Sequence, residues 1–316
     1  MAQDEEKGIL CVGTACLNMI NIVDKFPSED SDTYTETFDW DLGGGTLQSV
    51  MVLRQLGARC SFFGALAADT SLPFFVTKLG ELEISIEHCP VRMEQAMPVG
   101  VVIKSRATST RTTIYSEQNM QQATFDEFKA FVEKESSLSI IGWIHFEGTN
   151  VTETAKMIDY VKERRKSDNL QLTISLEIEQ ALPAVETLLN KPDVLFISKN
   201  YARIKGYANM SAAAKNIAKS AWMGTKVICP WGDKGSTCIL AGGSFRDVWT
   251  SPAFPPEKIV DPLGAGATFN AAVIYSLFKG KEIERALKFG CKLAGVKCGH
   301  QGFVFDDSEP TQNQKK

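Results

Sequence analysis

Short apolar runs alternate with longer amphipathic stretches along most of this chain, and that rhythm limits the fold more than any other feature. Gly8 to Gly13 reads as a buried strand ending at glycine. Gly45 to Leu56 reads as a helix, with Val50, Leu53 and Leu56 on one face. Ser61 to Gly64 reads as a second strand. Further strands are read at Trp143 to Phe146, Leu172 to Glu177, Val194 to Ile197 and Lys226 to Cys229, with helical patterns near residues 152–166, 182–190, 211–220 and 268–279. Strands alternating with helices pair in parallel through right-handed crossovers. The expected fold is α/β: a three-layer sandwich with a mainly parallel central sheet covered on both faces.

Two stretches, 14–42 and 96–119, break the rhythm. They are richer in β-branched and polar residues that alternate, as in Val99-Gly-Val-Val-Ile-Lys-Ser and Thr110-Arg-Thr-Thr-Ile-Tyr-Ser. They read as hairpins standing off the main sheet, a small β lid, rather than an edge meander. Val99, Val101 and Ile103 would give that lid an apolar face that one small sheet cannot bury alone, so a homodimer through the lid is expected. Residues 1–305 read as one domain, and the polar tail 306–316 as disordered.

Charge and cysteine usage exclude several function classes. The chain of 316 residues has 34 Lys+Arg against 38 Asp+Glu, a net charge of −4, and no long basic stretch. A nucleic-acid groove or an anionic membrane surface is not expected. No apolar run approaches the ~18 residues of a membrane-spanning helix. The polar start, Met1-Ala-Gln-Asp-Glu-Glu-Lys, lacks signal-peptide character, so a cytoplasmic protein is expected. The eight cysteines lack the compact spacings of a disulfide framework or zinc site, and three histidines are too scattered for a metal cluster.

The stretch that carries chemistry is Asp261-Pro-Leu-Gly-Ala-Gly-Ala-Thr-Phe-Asn270, leading into an apolar helix. A turn of Gly264, Ala265 and Gly266 opening a helix gathers backbone N–H groups at the positive helix end. That is an anion hole for a phosphate or a developing oxyanion. Alone, the turn also reads as a plain helix cap. Two further motifs stand beside it: Leu42-Gly-Gly44-Gly45 opening an early helix, and Pro230-Trp231-Gly232-Asp-Lys-Gly235 after a strand. In this order the three resemble the ribokinase-like, pfkB carbohydrate kinases, and the resemblance narrows to the ketohexokinases. It runs from about Ile9 to Phe305 and is carried also by Val23-Asp-Lys-Phe-Pro, Trp143-Ile-His-Phe-Glu-Gly, Pro252-Ala-Phe-Pro-Pro and Lys297-Cys-Gly-His-Gln-Gly-Phe.

The resemblance implies an α/β sandwich with a β-clasp dimer lid. It implies transfer of the ATP γ-phosphoryl group to the 1-hydroxyl of fructose, with Mg²⁺ and commonly K⁺. By the same resemblance, the nucleotide (ATP or ADP) would meet Arg111, Trp231, Gly232, Gly235, Phe254, Pro255, Pro256, Phe269, Asn270, Cys291, Ala294 and Cys298. Phe, Cys and Ala are also common core residues. The sugar would meet Asn18, Gly44, Gly45, Gln48, Glu147 and Asn150, with Asp30 reaching a neighbour's sugar site. Metal ligands stay unassigned. Glu177 and Glu179 near a strand end could support Mg²⁺ through water, or be solvated charges.

The chain departs from that pattern in one predicted pocket. The family's signature ends in a general-base Asp, and that position is Ala267. A side chain without a basic atom cannot accept a sugar hydroxyl proton. General-base assistance is worth roughly 10²–10⁴ in rate. The family's sugar-gripping Asp falls at Asn18, its two Asn at Gly45 and Gln48, and its Arg at Thr149. Three readings follow: a kinase by ancestry with impaired or lost fructose phosphorylation, an active kinase for another sugar, or a non-catalytic dimeric pseudokinase that binds nucleotide or sugar.

Overall fold

The computed structural model describes residues 7–303, apart from residues 136 and 245. The N-terminal half runs β1 (Gly8–Val12), β2 (Cys16–Val23), β3 (Thr37–Gly43), α1 (Gly45–Gln55), β4 (Cys60–Phe63), β5 (Leu66–Ala67), α2 (Leu72–Glu81), β6 (Val91–Arg92), β7 (Val99–Ser105), β8 (Thr110–Ser116), α3 (Phe125–Glu135), β9 (Ile141–Glu147) and α4 (Val151–Ser167). The C-terminal half runs β10 (Thr173–Ile178), β11 (Val194–Ile197), α5 (Lys199–Ile204), α6 (Met210–Ile217), β12 (Lys226–Pro230), β13 (Ser236–Leu240), β14 (Val248–Ser251), α7 (Ala265–Phe278) and α8 (Ile283–Gly299).

Among the described residues, eight strands form the main sheet in the order β14-β13-β12-β11-β10-β9-β1-β4. Pairing is parallel from β4 through to β12 and antiparallel only where β13 and β14 close the edge. β1 shows why the central strands read as continuous apolar runs. Ile9 and Cys11 pack on one face with Leu47, Val50, Val273 and Leu287, whereas Leu10 and Val12 pack on the other with Phe128, Ile158 and Ile217. α7 is apolar nearly all round, from Ala267 to Ile274, and is correspondingly buried between α1, α8 and the sheet.

The two stretches that break the rhythm form a separate four-stranded sheet, β3-β2-β7-β8, as expected of a lid. One of its faces carries Asn18, Ile20, Val102 and Lys104, which are buried. The opposite face carries Met19, Val101, Ile103 and, exposed, Phe38 and Ile114.

The helix expected at 182–190 is corrected by the structure. Only the single 3₁₀ turn Val185–Leu188 forms there. Pro183 precedes Ala184 at φ 60°, and Pro192 follows closely, so the chain has no room for regular helix. All eight cysteines are free, and burial pushes the thiols of Cys16, Cys60, Cys89, Cys229 and Cys238 up to about 12. The tail 306–316 lies outside the described residues. No helix among them is long and apolar enough to cross a membrane.

Candidate functional site

Two glycine turns meet at the carboxyl ends of the parallel strands, where open α/β sheets form their ligand crevices. The first opens α1. Gly44 lies at φ 99°, its α-carbon so close to the Thr14 carbonyl that a side chain would overlap it. The second opens α7. Gly264 lies at φ 78°, where a methyl group would overlap the Phe303 ring. Ser49 joins the two helix starts, donating to the carbonyls of Gly45 at 2.9 Å and Ala267 at 3.3 Å. Nothing lies within 4 Å of where a Gly266 side chain would begin, so the start of α7 borders open space there, while the Ala265 N–H donates to the Pro262 carbonyl at 3.4 Å.

Ala267 sits at this turn, 7% exposed, with no carboxylate to offer. The acids gather instead on the crevice floor. Glu147 ends β9, and Glu177 is its neighbour on β10. Glu147 accepts from the Thr14 amide (2.8 Å), the Thr14 hydroxyl and the Thr46 hydroxyl (2.9 Å). Burial raises its carboxyl, and these donors only partly offset that. Glu177 is pushed up to about 8 by burial, then by the charges of Glu179 and Glu147, against a hydrogen bond from Asn270. Burial raises Glu179 too, opposed by Arg111. Both remain reachable by solvent, as the floor of a cleft must be. A side chain at Gly45 would begin 3.7 Å from Glu177 and 3.9 Å from Glu179.

The expected sugar residues are brought to this crevice, but several have their polar atoms engaged. Asn18, 2% exposed, projects from the lid; its carbonyl oxygen fits between Gly43 and Gly100 and faces the Cys16 thiol at 3.7 Å. Gln48 donates to the Leu42 carbonyl at 3.4 Å, while its oxygen lies against Gly264. Asn150 precedes α4 and donates to the Ala123 carbonyl at 3.4 Å. Asp30 lies apart, exposed in the loop between β2 and β3 at φ 55°.

The expected nucleotide residues divide. Trp231, Gly232 and Gly235 form a tight turn closed by Trp231 N–H donating to Gly235 O at 2.7 Å. Gly235 abuts Ser251, three residues before Phe254. Phe254, Pro255 and Pro256 then face α8 across a cleft of about 270 Å³. The cleft's other walls are Lys292, Gly295, Val296, Gly299 and His300, which the sequence reading missed. Residues 292, 295, 296 and 299 fall at helical spacing, and that signal was available. Phe269 is 3% exposed and packs on Gly290 in the core, and Cys291 faces the Ser236 hydroxyl at 3.2 Å. Ala294 packs against the core, and Cys298 accepts from Val260 N–H and Asp261 N–H through its carbonyl. Asn270 belongs with Glu177, and its carbonyl oxygen is buried without a partner. Arg111 reaches from the lid toward Glu179.

Among the described residues, no group of three or more His, Cys, Asp or Glu is arranged to hold a metal ion. The donors that do converge, carboxylates and the free Asn270 oxygen, are hard oxygens of the kind Mg²⁺ takes when phosphates and water complete its shell.

The sequence matches the pfkB family of carbohydrate kinases over residues 6–310. It is 35% identical to ketohexokinase of Mus musculus over 301 residues, 95% of this chain and 98% of that protein. It is 21% identical to 5-dehydro-2-deoxygluconokinase of Listeria monocytogenes serotype 4b, over 98% of this chain and 94% of the relative. In three dimensions it is similar to ribokinase of Giardia lamblia, with a TM-score of 0.76 at 14% identity over 94% of each chain. It is also similar to Arabidopsis thaliana ribokinase complexed with ribose and ATP, with a TM-score of 0.73 at 18% identity over 94% of each chain. The fold is thus ribokinase-like.

Proposed function

The chain belongs to the pfkB family of carbohydrate kinases, and on that premise we propose that it is a ketohexokinase-like protein that holds adenine nucleotide but phosphorylates fructose poorly or not at all. The observation that carries this reading is Ala267: a buried methyl group stands at the anion-hole turn where the resemblance calls for a base. The backbone half of the site does not depend on that carboxylate. The N–H groups opening α7 and the positive helix end suit phosphate. The turn at Trp231–Gly235 and the apolar cleft beside Phe254 suit a nucleotide base.

In this reading the α7 start orients the transferring phosphate, and the lid excludes water from it. Glu177, Glu179 and Asn270 would hold Mg²⁺ together with nucleotide phosphates; when bound, the ion would neutralise developing phosphate charge. No comparable set marks a place for K⁺ among the described residues. Asp261, the buried carboxylate beside the turn, already faces two ammonium groups. Without a base at 267, the acceptor hydroxyl keeps its proton, and transfer is slow. The test is nucleotide binding and phosphoryl transfer to fructose read on one sample; binding without transfer is expected.

A second reading has one observation behind it. The Glu177 carboxyl, pushed up to about 8, faces the space left at Gly45 and could accept a proton from a differently seated hydroxyl, as in an active kinase for another sugar.

Residues 1–305 act as one domain and the protein works in the cytoplasm, in this reading. It is a homodimer, covering the apolar lid face of Met19, Val101, Ile103, Phe38 and Ile114 with a second copy. Sedimentation at micromolar concentration should give a dimer, and Ile114→Glu should shift it to monomer. Monomer alone in the parent chain would contradict the dimer.

A further inference from the structure

A cluster of buried charge joins the lid to the signature loop. Lys104, on the inner face of β7, is 6% exposed, and its ammonium pairs with Asp261 Oδ2 at 3.0 Å. Lys297, on α8, is fully buried; it pairs with the same oxygen at 3.0 Å and donates to the Asp261 main-chain carbonyl at 3.0 Å. The Asp261 carboxylate also accepts from Leu263 N–H at 3.0 Å and Gly302 N–H at 3.1 Å. One carboxylate therefore ties together a lid strand, the last long helix, the loop at Gly302 and the loop that runs into the anion hole.

An apolar contact runs beside the ionic one. Ile20 and Val102, on the same inner face of the lid, pack on Leu263, two residues from Asp261 and next to Gly264. Lid and loop thus meet through an apolar contact and an ion pair that share one short segment. Burial would raise the Asp261 carboxyl, but Lys297 and Lys104 outweigh it and hold it below its ordinary value. The carboxyl of Asp41, on the neighbouring lid strand β3, is raised by burial despite the same two ammoniums, and Lys297 is lowered by burial despite Asp261.

Buried ion pairs contribute little net stability compared with apolar residues, and their best-attested use is to fix register. The lysine stem at 104 reaches Asp261 only when β7 lies in one place over the loop. We propose that Lys104 is a positioning residue that makes closure of the lid and ordering of the anion-hole loop a single event. Two ammoniums on one carboxylate also place positive charge behind the turn, the sign a bound phosphate favours.

Lys104→Met is the clean variant. It keeps the stem length, removes the charge, and leaves Asp261 paired with Lys297 and two amides. Lys104→Arg keeps the charge. Hydrogen exchange read by mass spectrometry on the ligand-free protein should show Lys104→Met losing about tenfold or more protection, in β2 and β7 and, together with them, at the loop amide of Leu263 that donates to Asp261. Strands β9 to β11 should be unchanged, and Lys104→Arg should keep most of the protection. Val102→Ala, which weakens the apolar contact without touching charge, should loosen the same two segments together. It serves as the reading should Lys104→Met fail to fold. Loosening of the lid without the loop in either variant, or of neither, overturns the proposal. ADP affinity should fall about tenfold in Lys104→Met and recover in Lys104→Arg. That arm alone rests on the nucleotide reading: no ADP binding by the parent chain would overturn that reading and leave the exchange result to judge the latch.

Discussion

Ala267→Asp alone should leave fructose phosphorylation within about tenfold of the parent chain, while the quadruple variant that adds Asn18→Asp, Gly45→Asn and Gln48→Asn should gain roughly 10²–10⁴. The single change returns a carboxylate to a helix N-terminus, which tolerates it, and the backbone there is already held by Ser49. A base is useful only if a hydroxyl lies within reach of it, and a misplacement of about 1 Å can cost ~10²-fold. On the proposed reading, the parent pocket would hold the sugar weakly. Asn18 lacks a charged acceptor, and Gln48 spends its amide on the Leu42 carbonyl. Gly45 leaves a gap in front of two carboxylates. Asparagine fits there, because its first side-chain carbon would stand at ordinary contact distance, 3.7 Å, from Glu177. Groups that grip one substrate act as a unit, so the gains should exceed the sum of single changes. The measurement is kcat/KM on fructose for the single and quadruple variants. Ordinary turnover from Ala267→Asp alone would mean that the sugar site was never lost.

Gly264→Ala should cost about 2–5 kcal/mol and remove nucleotide binding with it. Two effects add. The residue sits at φ 78°, where a side chain costs roughly 1–2 kcal/mol. The new methyl group would also overlap the Phe303 ring and press on Gln48, and overpacking of this kind costs about 1–3 kcal/mol. Relief by moving Phe303 would disturb Lys297, whose ammonium lies 5.2 Å from that ring, and so the Asp261 cluster. Gly266→Ala is the control. Nothing occupies the space its side chain would enter, and alanine favours helix by up to about 1 kcal/mol. Thermal denaturation of the two variants separates them: equal midpoints would show that neither the backbone conformation nor Phe303 constrains the turn.

Some of this was legible in the sequence because it is local. β1 and β11 are buried on both faces and read as continuous apolar runs, and the lid strands alternate. The turn that opens α7 could be read from its glycines, because the left-handed residue that opens the helix, Gly264, calls for glycine. What the sequence withheld depends on contacts between distant segments. Nothing around Lys104 announces that it will be buried against Asp261, and nothing around Phe269 says whether it faces a ligand or Gly290. The helix expected at 182–190 is absent for a local reason: Pro183 and the left-handed Ala184 leave room only for the 3₁₀ turn Val185–Leu188.

The central claim is that this chain keeps the phosphate-binding half of a carbohydrate kinase and has lost the half that activates the acceptor. One experiment addresses both halves: calorimetric titration with ATP and Mg²⁺, followed on the same preparation by phosphoryl transfer to saturating fructose with isotope-labelled ATP. The account predicts saturable nucleotide binding at or below about millimolar concentration. It predicts transfer at least about 10²-fold below the 1–10³ s⁻¹ usual for enzymes. Fructose phosphorylation within that ordinary range, with Ala267 in place, would contradict it.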